Sequence, residues 1–566
     1  MSKQEMSRRG FFGSTVAAVA ALSALGLTGC NGNGGAEKEE ITWDKETDVV
    51  VIGFGGAGAS AAIAAAEAGA SVIALEKGDR RLAGGNTSVS GGGSCVGKPE
   101  NVDGLFQFVK AQMPKSGIIT DEEIRDYCEV ACGNEQWLLD HGAVLNKTDF
   151  KGGPGSGAMY ASWPTAKYCD VYYNIGGAGS ALFKFLQDVA ENTAGLEIMY
   201  ETPGVKLIFD PETKEVFGVV AQDKSGNFLN IKAKRGVVMA LGGFEGNKDM
   251  VTTYIKADIP IFPCGTPLNT GDGLVMLSEI GAKLRGFSST EWGLHCCRKG
   301  SEETGAYLGF SWTNRKVWDG CIMVNDKGKR FVDEAGKADG DNTVKDGVRM
   351  AGKTTNIEDP SGTLRPIHTK GAIPELDFSM NEVRYVNSPM YLVTNQAKLD
   401  QGPLFVAAGK NGGNTWPNVK GVYTWSDDNK AEIAKGWLEK GETLEELAKK
   451  INVDPEGLVA TVAKYNEDCA QGFDSEFGRD IALSPIDGGP YYATELGLGI
   501  INTQGGPARN GHHQVLDYND KPIPRLYAGG EFGSIWIFLY QGGGNVPEAL
   551  CTRAAGVEAA NLEPWC

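Results

Sequence analysis

The 566-residue sequence holds only five histidines, and none of its twelve cysteines stands in a C-x-x-C or C-x-x-C-H arrangement. Zinc-ribbon, iron–sulfur and covalent-haem patterns are therefore missing, and the cysteines read as buried free thiols with no metal site. Long apolar runs are also missing. The mild stretch Val16–Leu27 is about a dozen residues, short of the ~20 that span a bilayer. Positive charge is scarce: 54 Lys and Arg face 72 Asp and Glu, a net charge of −18, and no basic run follows the N-terminus. Such a surface repels nucleic acid, so no nucleic-acid partner is expected. Glycine is what the chain has in excess. Its 79 copies are about twice the usual ~7% share, clustered in short runs inside patterned sequence. Tight turns, or main chain brought close to a large ligand, explain that clustering better than disorder does.

The N-terminus reads as a targeting segment. Ser7-Arg8-Arg9-Gly10-Phe11-Phe12 resembles a twin-arginine export signal, and Leu27-Thr28-Gly29-Cys30 resembles a lipobox. Residues 1–30 are thus expected to be a twin-arginine signal peptide with lipobox. The expected location is extracytoplasmic, as a lipoprotein attached to the membrane through Cys30. Residues 31–44 read as a flexible tether.

Asp48–Ile52 is a short apolar strand, Ala57–Ala68 an Ala-rich helix and Ser71–Leu75 a second strand, together a βαβ unit. Asp121–Leu139, Gly179–Asn192, Ala431–Ala448 and Pro455–Gln471 read as helices. Val205–Phe209, Val216–Gln222 and Phe228–Ala233 read as antiparallel strands, and Gly236–Ala240 as a further buried strand.

Gly53-Phe54-Gly55-Gly56-Ala57-Gly58 is a G-x-G-x-x-G between strand and helix. Gly53 permits the turn, Gly55 lets main chain approach a pyrophosphate, and Gly58 lets the helix pack on the strand. The N-terminus of the helix supplies N–H groups and positive dipole. Glu76, eighteen residues beyond Gly58 and followed by Lys77, stands where an acid bonds ribose hydroxyls. This unit by itself does not separate FAD from NAD.

Later motifs do. Gly84-Gly85-Asn86-Thr87 with Ser90-Gly91-Gly92, Ala240-Leu241-Gly242-Gly243-Phe244, Thr270-Gly271-Asp272-Gly273, Gly328-Lys329-Arg330-Phe331-Val332-Asp333-Glu334 and Ala528-Gly529-Gly530-Glu531 follow in order. In this arrangement the sequence resembles the flavoprotein family of fumarate reductases and 3-oxosteroid dehydrogenases. The resemblance implies an α/β fold. A Rossmann-type FAD-binding domain would lie in two sequence segments, 45–289 and 481–566, with an inserted α+β capping domain over 290–480. It implies non-covalent FAD, cradled by these segments and by Asn545 and Val546, with Glu531 on the ribityl chain. The implied chemistry is hydride transfer between flavin N5 and a carbon beside an electron-withdrawing group.

The carboxylate-gripping positions of the fumarate reductases are altered. Asn502 stands for the His before Thr503-Gln504-Gly505-Gly506, Gln541 for a late Arg, and the proton-donating Arg falls near Ala338. A bidentate guanidinium is what matches a carboxylate, so a dicarboxylate substrate is disfavoured. Tyr492 in Pro490-Tyr491-Tyr492-Ala493, Tyr172 after Asp170-Val171, and Tyr540 resemble the oxosteroid dehydrogenase branch. They are expected, with His295, to be catalytic, a phenol being suited to an enone carbonyl. The expected reaction is reduction of a carbonyl-conjugated C=C bond in a small non-dicarboxylate substrate. Alternatives are the reverse oxosteroid-type dehydrogenation, a fumarate- or acrylate-type reduction, or a non-catalytic lipid-anchored binding protein. With no haem or FMN-carrier module, electrons are expected from a separate quinone, cytochrome or FMN protein. His512 and His513 read as surface residues. Trp292, Trp312, Trp318 and Trp536 read either as walls of an apolar pocket or as core.

Overall fold

The computed structural model describes residues 41–149, 163–176, 179–255, 261–287, 290–304, 307–309, 315–335, 387–405, 423–538, 540 and 542–565, with four two-residue strands between 344 and 385. The strand Lys45–Ile52 lies at the centre of the larger sheet, parallel to Val72–Leu75 on one side and to Phe228–Met239 on the other. Leu196–Met199 and Pro522–Ala528 extend the parallel array at either side. Val49, Val50 and Val51 are fully buried. Such continuous apolar runs are what a parallel sheet covered on both faces demands.

The helix Gly56–Glu67 follows at once and packs with Ala555 and Ala559 of the C-terminal helix Arg553–Ala560. The Ala-rich sequence lets these helices approach closely. A Cβ at Gly556 would stand 2.1 Å from the Ala61 carbonyl oxygen.

Three expected elements take a different form. Phe228–Met239 is one twelve-residue strand, and Gly236–Ala240 is its second half. Its first half closes an antiparallel meander with Gly204–Phe209 and Val216–Gln222, while its second half joins the parallel sheet. The expected helix 121–139 divides into Asp121–Cys132 and Asn134–Asp140. At the break the Val130 carbonyl accepts from the Gly133 N–H at 3.0 Å and from Arg553 at 2.9 Å. The charged run 431–448 forms two short helices, Lys430–Ala434 and Leu444–Lys450, separated by Gly436 in the left-handed region and the strand Glu439–Gly441. Pro455–Gln471 and Gly179–Asn192 are helices with the expected bounds.

The second sheet is built on one long strand, Tyr491–Thr503. Its first half pairs with Met390–Asn395 and Glu439–Gly441, and its second half with Ile261–Pro263 and Thr290–Cys297. Its C-terminal end at Thr503 therefore reaches the nucleotide-binding side of the molecule. Arg330, Glu334, Asp474 and Arg479 form a buried ion network under this sheet. Arg330 donates to Glu334 at 2.7 Å and to Asp474 at 2.8 Å, and Arg479 reaches Glu334 at 3.2 Å. Arg330 and Glu334 of the Gly328–Glu334 motif thus belong to the network that supports the second sheet. Ten cysteines are free among the described residues, nine of them buried. No helix among the described residues is long and apolar enough to cross a membrane.

Candidate active site

At the end of the first strand the chain turns through Gly53, whose φ of +94° a side chain rarely adopts. A Cβ at Gly58 would meet the Gly53 carbonyl oxygen at 1.8 Å, so Gly58 is required by the fold itself. Gly55 differs. Its Cβ would find nothing nearer than the Gly84 carbonyl oxygen at 3.5 Å, and at Gly91 nothing stands within 4 Å. Gly55 makes a main-chain bridge to Gly84, at the start of the Gly84-Gly85 turn. The helix Gly56–Glu67 begins there with no side-chain cap. Thr87 accepts from the Gly56 N–H at 3.2 Å and ties the two glycine segments together.

Glu76 closes one end. Its two carboxylate oxygens accept from the N–H groups of Phe54 at 3.1 Å and Gly78 at 2.7 Å, which fixes the plane and leaves further lone pairs for ribose hydroxyls. Burial pushes its acid constant up, against those two bonds. Lys77 donates to Thr270 at 2.8 Å and Asp272 at 2.7 Å, so these three expected cofactor residues meet one another.

Glu531 closes the other end. Asn86 donates from one amide nitrogen to Glu531 at 2.9 Å and to Glu245 at 2.7 Å. The Thr503 N–H donates to Glu531 at 3.2 Å, and the Thr503 hydroxyl reaches Glu245 at 3.1 Å. Asn269 adds a bond to Glu245 at 2.8 Å. Gly242 and Gly243 are needed here, because a Cβ on Gly242 would strike the Asn269 amide at 2.6 Å and one on Gly243 the Thr503 hydroxyl at 2.1 Å. Gly530 lies against Ala57, a Cβ there standing 2.6 Å from the Ala57 methyl. Glu245, Asn269 and Thr503 escaped the sequence reading as site residues. The available signal was an acid two places after Gly243 with no basic neighbour in sequence.

The Gly91-Gly92 turn and the Gly542–Gly544 loop complete the wall, joined by the Cys95 N–H to the Gly543 carbonyl at 2.9 Å. Tyr172 and Tyr540 are brought together here. A Cβ on Gly93 would meet the Tyr172 hydroxyl at 2.4 Å, and the Tyr540 hydroxyl accepts from the Gly543 N–H at 3.2 Å. Asn545 and Val546 begin the helix Asn545–Cys551 beside them.

The site fits FAD on two observations. A Cβ at Gly91 would meet nothing within 4 Å, and the Asn545 side-chain oxygen is buried without a hydrogen-bond partner.

Two expected catalytic residues are not gathered there. Tyr492 lies eleven residues before Thr503 on the same strand, roughly 35 Å away at ~3.3 Å per residue. Its hydroxyl donates to Gln396 at 2.6 Å. His295 pairs with Leu498, five residues from Thr503, buried edge-on to Trp318 at 6.2 Å. Burial lowers its acid constant from 6.5 to about 4, so the imidazole is neutral. Asn502 and Gln504 are buried and bonded to each other at 3.0 Å. Gln541, Ala338 and Trp312 lie outside the described residues, as do Cys30 and the rest of 1–40. Trp318 and Trp536 are core residues. His512 is exposed as expected, but His513 is buried. It stands between Arg509 at 2.6 Å and Asp126 at 3.1 Å, because the 509–515 turn folds onto the helix Asp121–Cys132.

A parallel nucleotide-binding sheet, a glycine turn and acids at both ends define an FAD-dependent oxidoreductase, acting on CH–CH or C=C groups. The chain belongs to the FAD binding domain family, whose model matches residues 48–546. It is 28% identical to urocanate reductase of Eggerthella lenta over 86% of this chain and 70% of that protein. It is 27% identical to vinyl phenol reductase of Lactiplantibacillus plantarum over 85% and 89%. The structure of 3-ketosteroid delta1-dehydrogenase from Sterolibacterium denitrificans shares the fold, with a TM-score of 0.66 at 22% identity over 91% of this chain and 99% of that one.

Proposed function

We propose that the protein reduces a C=C bond conjugated to a carbonyl in a non-dicarboxylate organic substrate. FAD, when bound, supplies the hydride chemistry. The chain's own residues bind and orient. Main chain at Gly55 would receive the pyrophosphate, Glu76 the ribose, and Glu531 the ribityl hydroxyls. Tyr172 and Tyr540, bracketing the Gly93–Gly543 contact, would donate to a substrate oxygen and hold the proton that follows; their shared location at the glycine wall supports this role.

The observation that carries the substrate class is the Asn502–Gln504 amide pair. It is buried and neutral where the fumarate reductases carry an ionisable group. Among the described residues Arg285 is committed to Glu123, Arg298 to Glu302 and Glu495, Arg330 and Arg479 to Glu334, and Arg509 to Glu548. A buried carboxylate without a cation costs several kcal/mol, which disfavours a second carboxylate on the substrate. The name vinyl phenol reductase, borne by one relative, likewise points to a substrate that is not a dicarboxylate.

The test is a screen of reduced protein against fumarate, aromatic acrylates and enones including 3-oxosteroids, following flavin reoxidation. Enones should reoxidise it fastest, and rapid reoxidation by fumarate would overturn the proposal. The segments at Arg8-Arg9 and Cys30 support export and lipid attachment. Electrons would then arrive from a separate quinone, cytochrome or FMN protein outside the cytoplasm.

A further inference from the structure

We infer that Glu245 serves the cofactor site as a neutral carboxylic acid, sharing one proton with Glu531 across Gly243. The inference rests on the FAD reading of the site, which the flavin spectrum of the unaltered protein checks separately.

The geometry comes from the space Gly243 leaves open. The point where its Cβ would stand is 2.4 Å from a Glu531 oxygen and 2.6 Å from a Glu245 oxygen, so the two oxygens are no more than 5.0 Å apart. The Thr503 hydroxyl lies 2.1 Å from the same point. The side chains that donate to Glu245 are Asn86, Asn269 and Thr503, all neutral. Asn86 has two amide protons and spends one on each acid. The Thr503 hydroxyl accepts from the Phe244 N–H at 2.8 Å and bridges toward the acid pair.

The charges on the elements packed around this cluster are few. Glu531 follows the strand Pro522–Ala528. Lys77 and Asp272 are paired with each other, beside Thr270. Glu245 is itself fully enclosed, 3% exposed. Two carboxylates this close in such surroundings do not both ionise readily, so the pair titrates as a unit holding one proton. Burial pushes the Glu245 acid in the same direction.

The proton makes Glu245 a positioning residue. As a neutral acid it fixes Asn86 and Thr503, which in turn present Glu531 to the ribityl hydroxyls. Its loss to solvent at high pH places two like charges on either side of Gly243, pushing Glu531 off that position.

The experiment measures flavin dissociation from the holoprotein by fluorescence while pH is raised. The dissociation constant should climb by up to ~10-fold per pH unit once the pair ionises. Glu245→Gln, which cannot ionise, should lose the alkaline climb. An unchanged climb in Glu245→Gln would overturn the inference. Should that variant fail to fold, infrared spectra of the unaltered holoprotein decide. A protonated-carboxyl band that fades in step with flavin release supports the shared proton, and its absence at neutral pH refutes it.

Discussion

The Tyr492 hydroxyl donates to the Gln396 side chain over 2.6 Å, at the opposite end of its strand from Thr503. Its partner is the first residue of the helix Gln396–Leu399, so the bond fastens that helix to the second sheet. Tyr492→Phe should cost about 1 kcal/mol of stability by losing a buried bond. Turnover should stay within a few-fold of the unaltered enzyme. A drop of ~10² in kcat with flavin content intact would return Tyr492 to the chemistry.

Tyr540→Phe and Tyr172→Phe are expected to behave oppositely. Each should retain flavin, and losing a donor at a developing negative charge typically lowers kcat by ~10²–10³. Single-turnover reoxidation of the reduced variants by the best enone measures this. Rates in Tyr540→Phe and Tyr172→Phe equal to that of the unaltered protein would exclude both tyrosines from the reaction.

The two glycines of the loop should separate fold from ligand. A Cβ at Gly55 meets only ordinary protein contacts, so Gly55→Val should yield folded protein devoid of visible flavin absorbance. Gly58→Val drives a side chain into the Gly53 carbonyl oxygen and should fail to accumulate as folded protein. Circular dichroism with the absorbance spectrum distinguishes the two outcomes.

Breaking the ion network beneath the second sheet should be severe. Burial pushes the Glu334 acid up, but Arg330 and Arg479 outweigh it and hold the carboxyl below its ordinary range. A depressed acid contributes stability above its ordinary value, lost as pH falls through the folded one. Glu334→Gln should cost about 3–5 kcal/mol, leaving buried guanidinium charge uncompensated, and should weaken the acid dependence of thermal unfolding below about pH 4.5.

His295 offers a complementary pH test. Its folded value of about 4 lies below the ordinary 6.5, so unfolded chain binds the extra proton and stability falls as pH drops between those values. His295→Leu should flatten that slope. An unchanged slope would mean that the imidazole is not buried and neutral.

The nucleotide-binding unit was legible in the sequence because its physics is local. Gly53, Gly55, Gly58 and Glu76 lie within one βαβ unit, where spacing along the chain sets spacing in space. The glycine pairs at Gly84-Gly85, Gly242-Gly243 and Gly529-Gly530 were readable for a related reason: each is a short stretch where main chain must pass close to something. Helices such as Pro455–Gln471 announced themselves by a proline at the start and Gly472 at the end. What the sequence by itself determined, then, was the fold class and the cofactor.

Only the tertiary structure decided which polar residues meet. Asn86, Glu245, Thr503 and Glu531 come from four separate elements, and their hydrogen bonds cross up to 445 positions of sequence. Tyr492 matched a family segment, yet a thirteen-residue extended strand carries it away from Thr503, and no motif encodes that separation. Arg330 and Glu334 likewise sat in a family motif, and their ion pairs with Asp474 and Arg479 gave them a structural role. Local pattern sets the local conformation of the chain, but long-range packing decides which side chains share a low-dielectric space. Acid–base chemistry depends on the second.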